Sequence, residues 1–129
     1  MHPTSPKSLS DILRACDLIL GHTAEHTFDD YDSDPFFRAA IERCFEIIDE
    51  ALHRLERKDP VTAAAILHCR DVIDFRNVLA HGYDTVDHES VWSYIHNDLP
   101  DLRQQVAALL RRAEAPADTT SGPDDVAQS

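Results

Sequence analysis

Glycine is scarce, with three residues in 129, which argues against a turn-rich β-fold. Long apolar runs are missing too. None approaches the roughly twenty residues needed to cross a bilayer, and Met1 to Lys7 lack the apolar stretch of a signal peptide, so a cytoplasmic protein with no membrane association is expected. Basic residues are outnumbered two to one, 12 Lys and Arg against 24 Asp and Glu, giving a net charge of −12. That charge repels nucleic acid at long range and counts against a protein that grips duplex DNA through many phosphate contacts, so any nucleic-acid chemistry must be local. The cysteines Cys16, Cys44 and Cys69 form no CxxC pair and sit among apolar neighbours, which points to buried free thiols rather than disulfides or a zinc site.

What is present is helical periodicity over the length of one domain. Leu9, Ile12, Leu13, Cys16, Ile19 and Leu20 recur at three- and four-residue steps and predict a first helix over 9–26. An acidic loop, Asp29 to Asp34, is expected next, with Asp34 as N-cap and Pro35 as first residue of a second, long helix. Phe37, Ile41, Phe45, Ile48, Leu52 and Leu55 carry that helix to about Lys58, where Asp59-Pro60 breaks it. The run from Val61 to Ala80 predicts a third helix that stops at Gly82. Asp87 can cap a fourth, carrying Val91, Trp92, Ile95 and Leu99, and Pro100 kinks or breaks it before the pattern resumes to about Arg112. The expected fold is all-α, an up-down bundle of four to five helices. Residues 1–8 read as a lead, 9–112 as the helical domain and 113–129 as a disordered acidic tail.

One segment conflicts with burial. Arg76, Asn77, His81 and Tyr83 crowd polar, reactive side chains around the end of an otherwise apolar helix, as functional sites do. Asn77 and His81 are four apart and share a face. Arg76 and His81 are about 140° apart on an ideal helix, so they meet only through a long arginine reach or a loosened last turn, which Gly82 can supply. A histidine in the last turn feels the negative end of the helix dipole, and arginine offers a forked cation suited to phosphate. Together they have the parts to cleave RNA without metal or other cofactor: histidine moves protons and arginine steadies charge on phosphorus oxygens. A single Arg-His pair makes a thin site, which a two-fold homodimer would complete economically.

The string Arg76-Asn77-Val78-Leu79-Ala80-His81-Gly82-Tyr83 resembles the Arg-x4-His-x-Tyr pattern of the HepT-like or DUF86 group of HEPN-domain proteins. Ala40 to Arg43 and Glu46 to Ala51 resemble that family's second helix, and Val91-Trp92 with Asp98 to Val106 its closing region, so the likeness covers about residues 9–112. Asp49 departs from it, standing where the family usually has glycine, and Val61 to Cys69 matches poorly. The resemblance implies an all-α homodimer and a ribonuclease toxin of a type VII toxin–antitoxin pair, acting on transfer or messenger RNA. It also implies a cognate MNT-type nucleotidyltransferase antitoxin that silences the toxin by moving AMP onto the motif tyrosine, here Tyr83. Carried over by position, Arg76 and His81 are catalytic, Asn77 supports them and Tyr83 is modified. AMP two residues from His81 would place a bulky anion where substrate phosphate must approach.

Other signals have plainer readings. His22-Thr23-Ala24-Glu25-His26 reads HxxEH, an inverted zinc-protease pattern, but lies at a helix end where solvated His and Glu are common. Asp30, Asp32 and Asp34 are spaced like a calcium loop, yet Pro35 stands where that loop needs glycine, so no metal site is expected. Trp92, His53, His68, His88 and His96 read as core or surface residues. Two other classes stay open: a non-catalytic helical subunit that binds a nucleotidyltransferase and helps present its substrate, and a structural dimerisation module, which leaves Asn77, His81 and Tyr83 unexplained.

Overall fold

A computed structural model describes residues 1–66 and 87–114. Among these residues there are six helices and no strand: α1 Ser5–Thr23, α2 Phe28–Ser33, α3 Pro35–Lys58, α4 Pro60–Ala64, α5 His88–Asn97 and α6 Leu99–Glu114. The protein is an all-α bundle. Helix α1 packs against both α3 and α6, α5 lies on α6, and α2 bridges α3 and α5. Helices α1 and α3 run antiparallel: Ser5 meets Asp59 at one end, and His22 meets Phe37 at the other.

The core is built from the predicted stripes. Leu9, Ile12, Cys16 and Ile19 of α1 face Phe45, Ile48, Leu52 and Leu55 of α3, with Leu99, Leu102 and Val106 of α6 closing the third side. Each such aliphatic or aromatic side chain contributes about 1.5–3 kcal/mol by leaving water. Surface pairs then tie the helices together, Arg54 to Asp11 at 2.8 Å between α3 and α1, and Arg103 to Asp17 at 2.6 Å between α6 and α1. The exposed Arg103–Asp17 pair adds about 0–1 kcal/mol, so it sets register more than stability.

Helix ends show where local chemistry beats periodicity. Helix α1 spans Ser5–Thr23, starting four residues before the expected Leu9. Pro6 fits its first turn, where no backbone N–H is required, and the buried Ser5 hydroxyl donates to Asp59 at 2.8 Å. The expected acidic loop is a helix: Thr27 Oγ1 accepts from Asp30 N–H at 3.2 Å, and the Asp30 carboxylate accepts from Thr27 N–H at 2.9 Å, a reciprocal cap that starts α2. Asp34 caps α3 by accepting from Phe36 and Phe37 N–H, and α3 ends at Lys58, both as the sequence predicts.

The continuous helix expected from Val61 is interrupted. Helix α4 ends at Ala64, and the N–H groups of Ala65 and Ile66 donate to Thr62 and Ala63, three residues back rather than four. That tighter pattern closes the turn instead of propagating an α-helix. The remainder of the predicted third helix, to Ala80, lies outside the described residues, as does the tail expected over 113–129 except for Ala113 and Glu114, which belong to α6. Asp87 caps α5 as expected, accepting from Glu89 and Ser90 N–H. The break falls at Asp98, so that Pro100 occupies the first turn of α6 rather than kinking a longer helix.

Candidate functional site

At one end of the bundle the last turn of α1, all of α2, the first turn of α3 and the face of α5 converge on an aromatic corner. Tyr31 is its centre, 1% exposed, with ring centroids 5.6 Å from Phe37 and 5.3 Å from Trp92. His22 and His26 lie 4.5 Å apart and both stack edge-on against Phe37, at 4.8 and 5.2 Å. His96 packs on Trp92 at 4.8 Å, and His88 on Tyr31 at 5.9 Å. Burial pushes the Tyr31 hydroxyl well above the usual phenol range, so it stays protonated.

The polar groups of this corner have structural occupations. The HxxEH histidines pack on an aromatic face, with His26 Nδ1 2.8 Å from the His22 carbonyl. Asp30, Asp32 and Asp34 divide three tasks: Asp30 caps α2, Asp32 meets His88 Nδ1 at 2.7 Å, and Asp34 caps α3. The Thr27 backbone N–H, first among its partners, holds the Asp30 carboxyl below the usual range. Among the described residues no group of three or more His, Cys, Asp or Glu is arranged to hold a metal ion.

The opposite end is organised by Asp59, where α3 hands the chain to α4. Its carboxylate accepts from Thr62 Oγ1 at 2.6 Å, Ser5 Oγ at 2.8 Å, His2 N–H at 2.9 Å and Thr62 N–H at 3.2 Å. These donors, the Thr62 hydroxyl foremost, hold its carboxyl far below the ordinary value. Sequence reasoning read Asp59 only as a helix breaker; the cue to its larger role was Asp-Pro-x-Thr, an N-cap followed by proline. Asp49, the departure from the family pattern, is fully buried on the inner face of α3, with His53 Nδ1 3.5 Å away. Tyr94 of α5 reaches the same interior and stacks on Phe45 at 5.8 Å.

Arg76, Asn77, His81 and Tyr83 all lie outside the described residues, together with Cys69 and Arg70. The described chain brackets them: Ile66, 3% exposed, anchors the segment's start, and Asp87 fixes its end as the α5 cap. Arg43 of α3 is exposed and pairs with Glu46 at 3.3 Å. Cys16 and Cys44 are free thiols, and burial pushes Cys16 up to about 12, leaving it inert as a nucleophile.

The bundle and the bracketed segment fall within one family model, described as ribonuclease HepT-like, which matches residues 12–109. The chain belongs to the HepT-like family. Among its relatives is a Thermococcus cleftensis protein named "Probable ribonuclease HepT", 32% identical over 101 residues, covering 78% of this chain and 91% of that one. A Caldanaerobacter subterraneus protein named "Putative RNase" is 27% identical over 104 residues, covering 81% and 92%. A Methanocaldococcus jannaschii protein with the same designation is 24% identical over 106 residues, covering 82% and 90%. No solved structure matches the chain. The HepT-like match spans α3, α5 and most of α1 and α6, as well as positions 76–83. Among the described residues no helix is long and apolar enough to cross a membrane.

Proposed function

We propose that this chain is a ribonuclease, the toxin of a type VII toxin–antitoxin pair, cutting RNA without a metal ion through Arg76 and His81. The observation that carries this reading is the HepT-like match over residues 12–109, a range that contains the Arg76-x4-His81-x-Tyr83 string, and similarity to relatives named as ribonucleases supports it. His81 takes the proton of a ribose 2′-hydroxyl. The 2′ oxygen attacks phosphorus, the bond from phosphorus to the 5′ oxygen breaks, and the leaving oxygen gains a proton from an imidazolium or from water. The products are a 2′,3′-cyclic phosphate and a 5′-hydroxyl. Arg76 holds the phosphorus oxygens while charge builds on them, and Asn77 orients the pair.

The unit of activity is a two-fold homodimer, since two motif segments supply the base and the acid that one histidine cannot supply at once. Tyr83 is the off switch: AMP placed there by a cognate nucleotidyltransferase puts a bulky anion beside His81. With a net charge of −12, RNA binding depends on a small cationic cleft and weakens as salt rises.

The test is incubation of wild type and His81→Ala with labelled transfer and messenger RNA in EDTA, after intact mass has shown Tyr83 free of AMP. Cuts by wild type, reduced about 100- to 10,000-fold in the variant, are expected for loss of a general acid–base group. Intact RNA in both lanes, or equal cutting by both proteins, would overturn the reading.

A further inference from the structure

Beside the aromatic corner an open groove of about 740 Å³ runs between α1 and α3. Its walls are two helical rows: Leu18 and His22 on α1, and Phe36, Ala40 and Cys44 on α3, each four residues from the next. The α3 row extends about 12 Å, a little over two turns. Two of its apolar side chains stand in water, Phe36 at 84% and Leu18 at 58% exposure. A phenylalanine so exposed contributes nothing to the bundle's own core. Single exposed apolar residues are ordinary, but here two flank one trough.

The charge around the groove selects the occupant. Among the described residues its lining carries the carboxylates of Asp30 and Asp34 and the imidazoles of His22 and His26, and no lysine or arginine. The adjoining stretch from Glu25 to Asp34 adds Glu25, Asp29 and Asp32 without a lysine or arginine. Arg38, on the first turns of α3, is turned onto the carbonyls of Tyr31 and Asp32. RNA phosphates would meet a like charge here, and a second copy docked through this same face would set Asp30 and Asp34 against their own counterparts. The segment 115–129 carries Asp118, Asp124 and Asp125 and no basic residue, so it is repelled as well.

We infer that this groove is a docking site for an amphipathic helix of a partner protein, one that lays an apolar stripe between Leu18 and Phe36 and sets lysines or arginines against Glu25, Asp29 and Asp30. Two helices with a trough between them accept a third helix by the same packing that builds the bundle, and anchors at four-residue spacing match its turns. The acid rim supplies selectivity and a fast encounter, while the apolar floor supplies retention. The site lies apart from the Arg76–His81 segment in sequence and does not depend on the ribonuclease reading.

The probe is a labelled 18-residue helical peptide of leucine and lysine with one apolar face, compared with its leucine–glutamate counterpart and a scrambled lysine peptide of equal charge. Anisotropy with the full-length chain should show saturable binding of the amphipathic basic peptide, at least ten-fold tighter than of either control. Phe36→Ser should weaken it at least ten-fold while the thermal melt stays unchanged. Glu25→Gln with Asp29→Asn, which touches no helix cap, should weaken it several-fold and flatten its salt dependence. Equal binding of the scrambled peptide, or indifference to Phe36→Ser, would overturn the site. So would sedimentation showing a dimer that Phe36→Ser dissociates, which makes the occupant a second copy, or competition by RNA for the same face.

Discussion

The slab formed by α1, α3 and α6 and the corner formed around α2 and α5 are held together differently. In the slab, Leu9, Ile12, Ile19, Phe45, Ile48, Leu52 and Leu102 are fully buried and touch one another. In the corner, Tyr31 and Phe37 are buried, but they are surrounded by partly or fully exposed His22, His26, His88, Trp92 and His96 and by capping aspartates. The slab gains its stability from burial, which is non-directional. The corner relies on caps and ring contacts, which are local and specific. Features that the core does not require, the exposed Phe36 and the acid rim, therefore collect at the corner, where changing them costs the fold little.

The largest separation of the two regions is expected from Phe45→Ala. Phe45 is 0% exposed at the centre of the slab, so removing its ring leaves a cavity and should cost about 3–5 kcal/mol, read as a fall in the urea midpoint. Against a typical total of about 5–15 kcal/mol this is a large fraction. A loss below about 1 kcal/mol would show that the slab collapses around the gap, and the contrast between rigid slab and adaptable corner would fail.

Next in size is Asp34→Ala, which removes the carboxylate accepting from Phe36 and Phe37 N–H. The expected cost is about 1 kcal/mol, within the 0.5–2 range for a lost N-cap. Because Asp34 both ends α2 and starts α3, the loss should also loosen the ring contacts of Phe37, visible as a change in near-ultraviolet circular dichroism. An unchanged near-ultraviolet spectrum would mean that the corner is held by burial alone.

This asymmetry also explains what could be read from the sequence. The bounds of α3 were legible because Asp34-Pro35 and Asp59-Pro60 mark them with residues that cannot serve otherwise, and Asp87 marks α5 in the same way. Helix α2 was illegible: its six residues are too few to show a period, and its capping box uses Asp30 where the usual signal is Glu or Gln. The end of α4 was hidden because Val61 to Ala80 keeps its apolar spacing through Ala65 and Ile66, where the hydrogen bonds shift to three-residue steps. The aromatic corner joins His22 to His88 through Phe37 and Tyr31, contacts between distant positions that no local pattern encodes. The motif from Arg76 to Tyr83 is the reverse case, conspicuous as a string while lying outside the described residues.

At the far end of the slab Asp59 tests whether one polar knot can matter where burial dominates. Its folded carboxyl is held well below the ordinary value of about 3.9. Between those values the unfolded chain binds more protons than the folded one, so stability falls as pH falls. The stabilisation is full above about pH 5 and is lost progressively as acid protonates the folded carboxylate. The stability difference between wild type and Asp59→Asn should therefore be greatest near neutrality and shrink towards pH 2, as chemical denaturation at each pH would show. A difference that stays constant with pH would mean that the four donors act through geometry and not through charge.

The smallest effect is expected from Phe36→Ser, and its smallness is what makes it informative. Phe36 and Phe45 are both phenylalanines of α3, nine positions apart, yet one is 84% exposed and the other 0%. A surface substitution away from caps and cavities should change stability by no more than about 0.5 kcal/mol. Phe36 follows directly after the Pro35 that opens α3, and its backbone N–H, which serine retains, is what bonds Asp34. If Phe36→Ser destabilised the chain by as much as Phe45→Ala, the ring would have to be covered in solution, either by residues of this chain or by a second copy. A melt independent of protein concentration would then separate the first explanation from the second, because only association with another copy makes the midpoint rise with concentration.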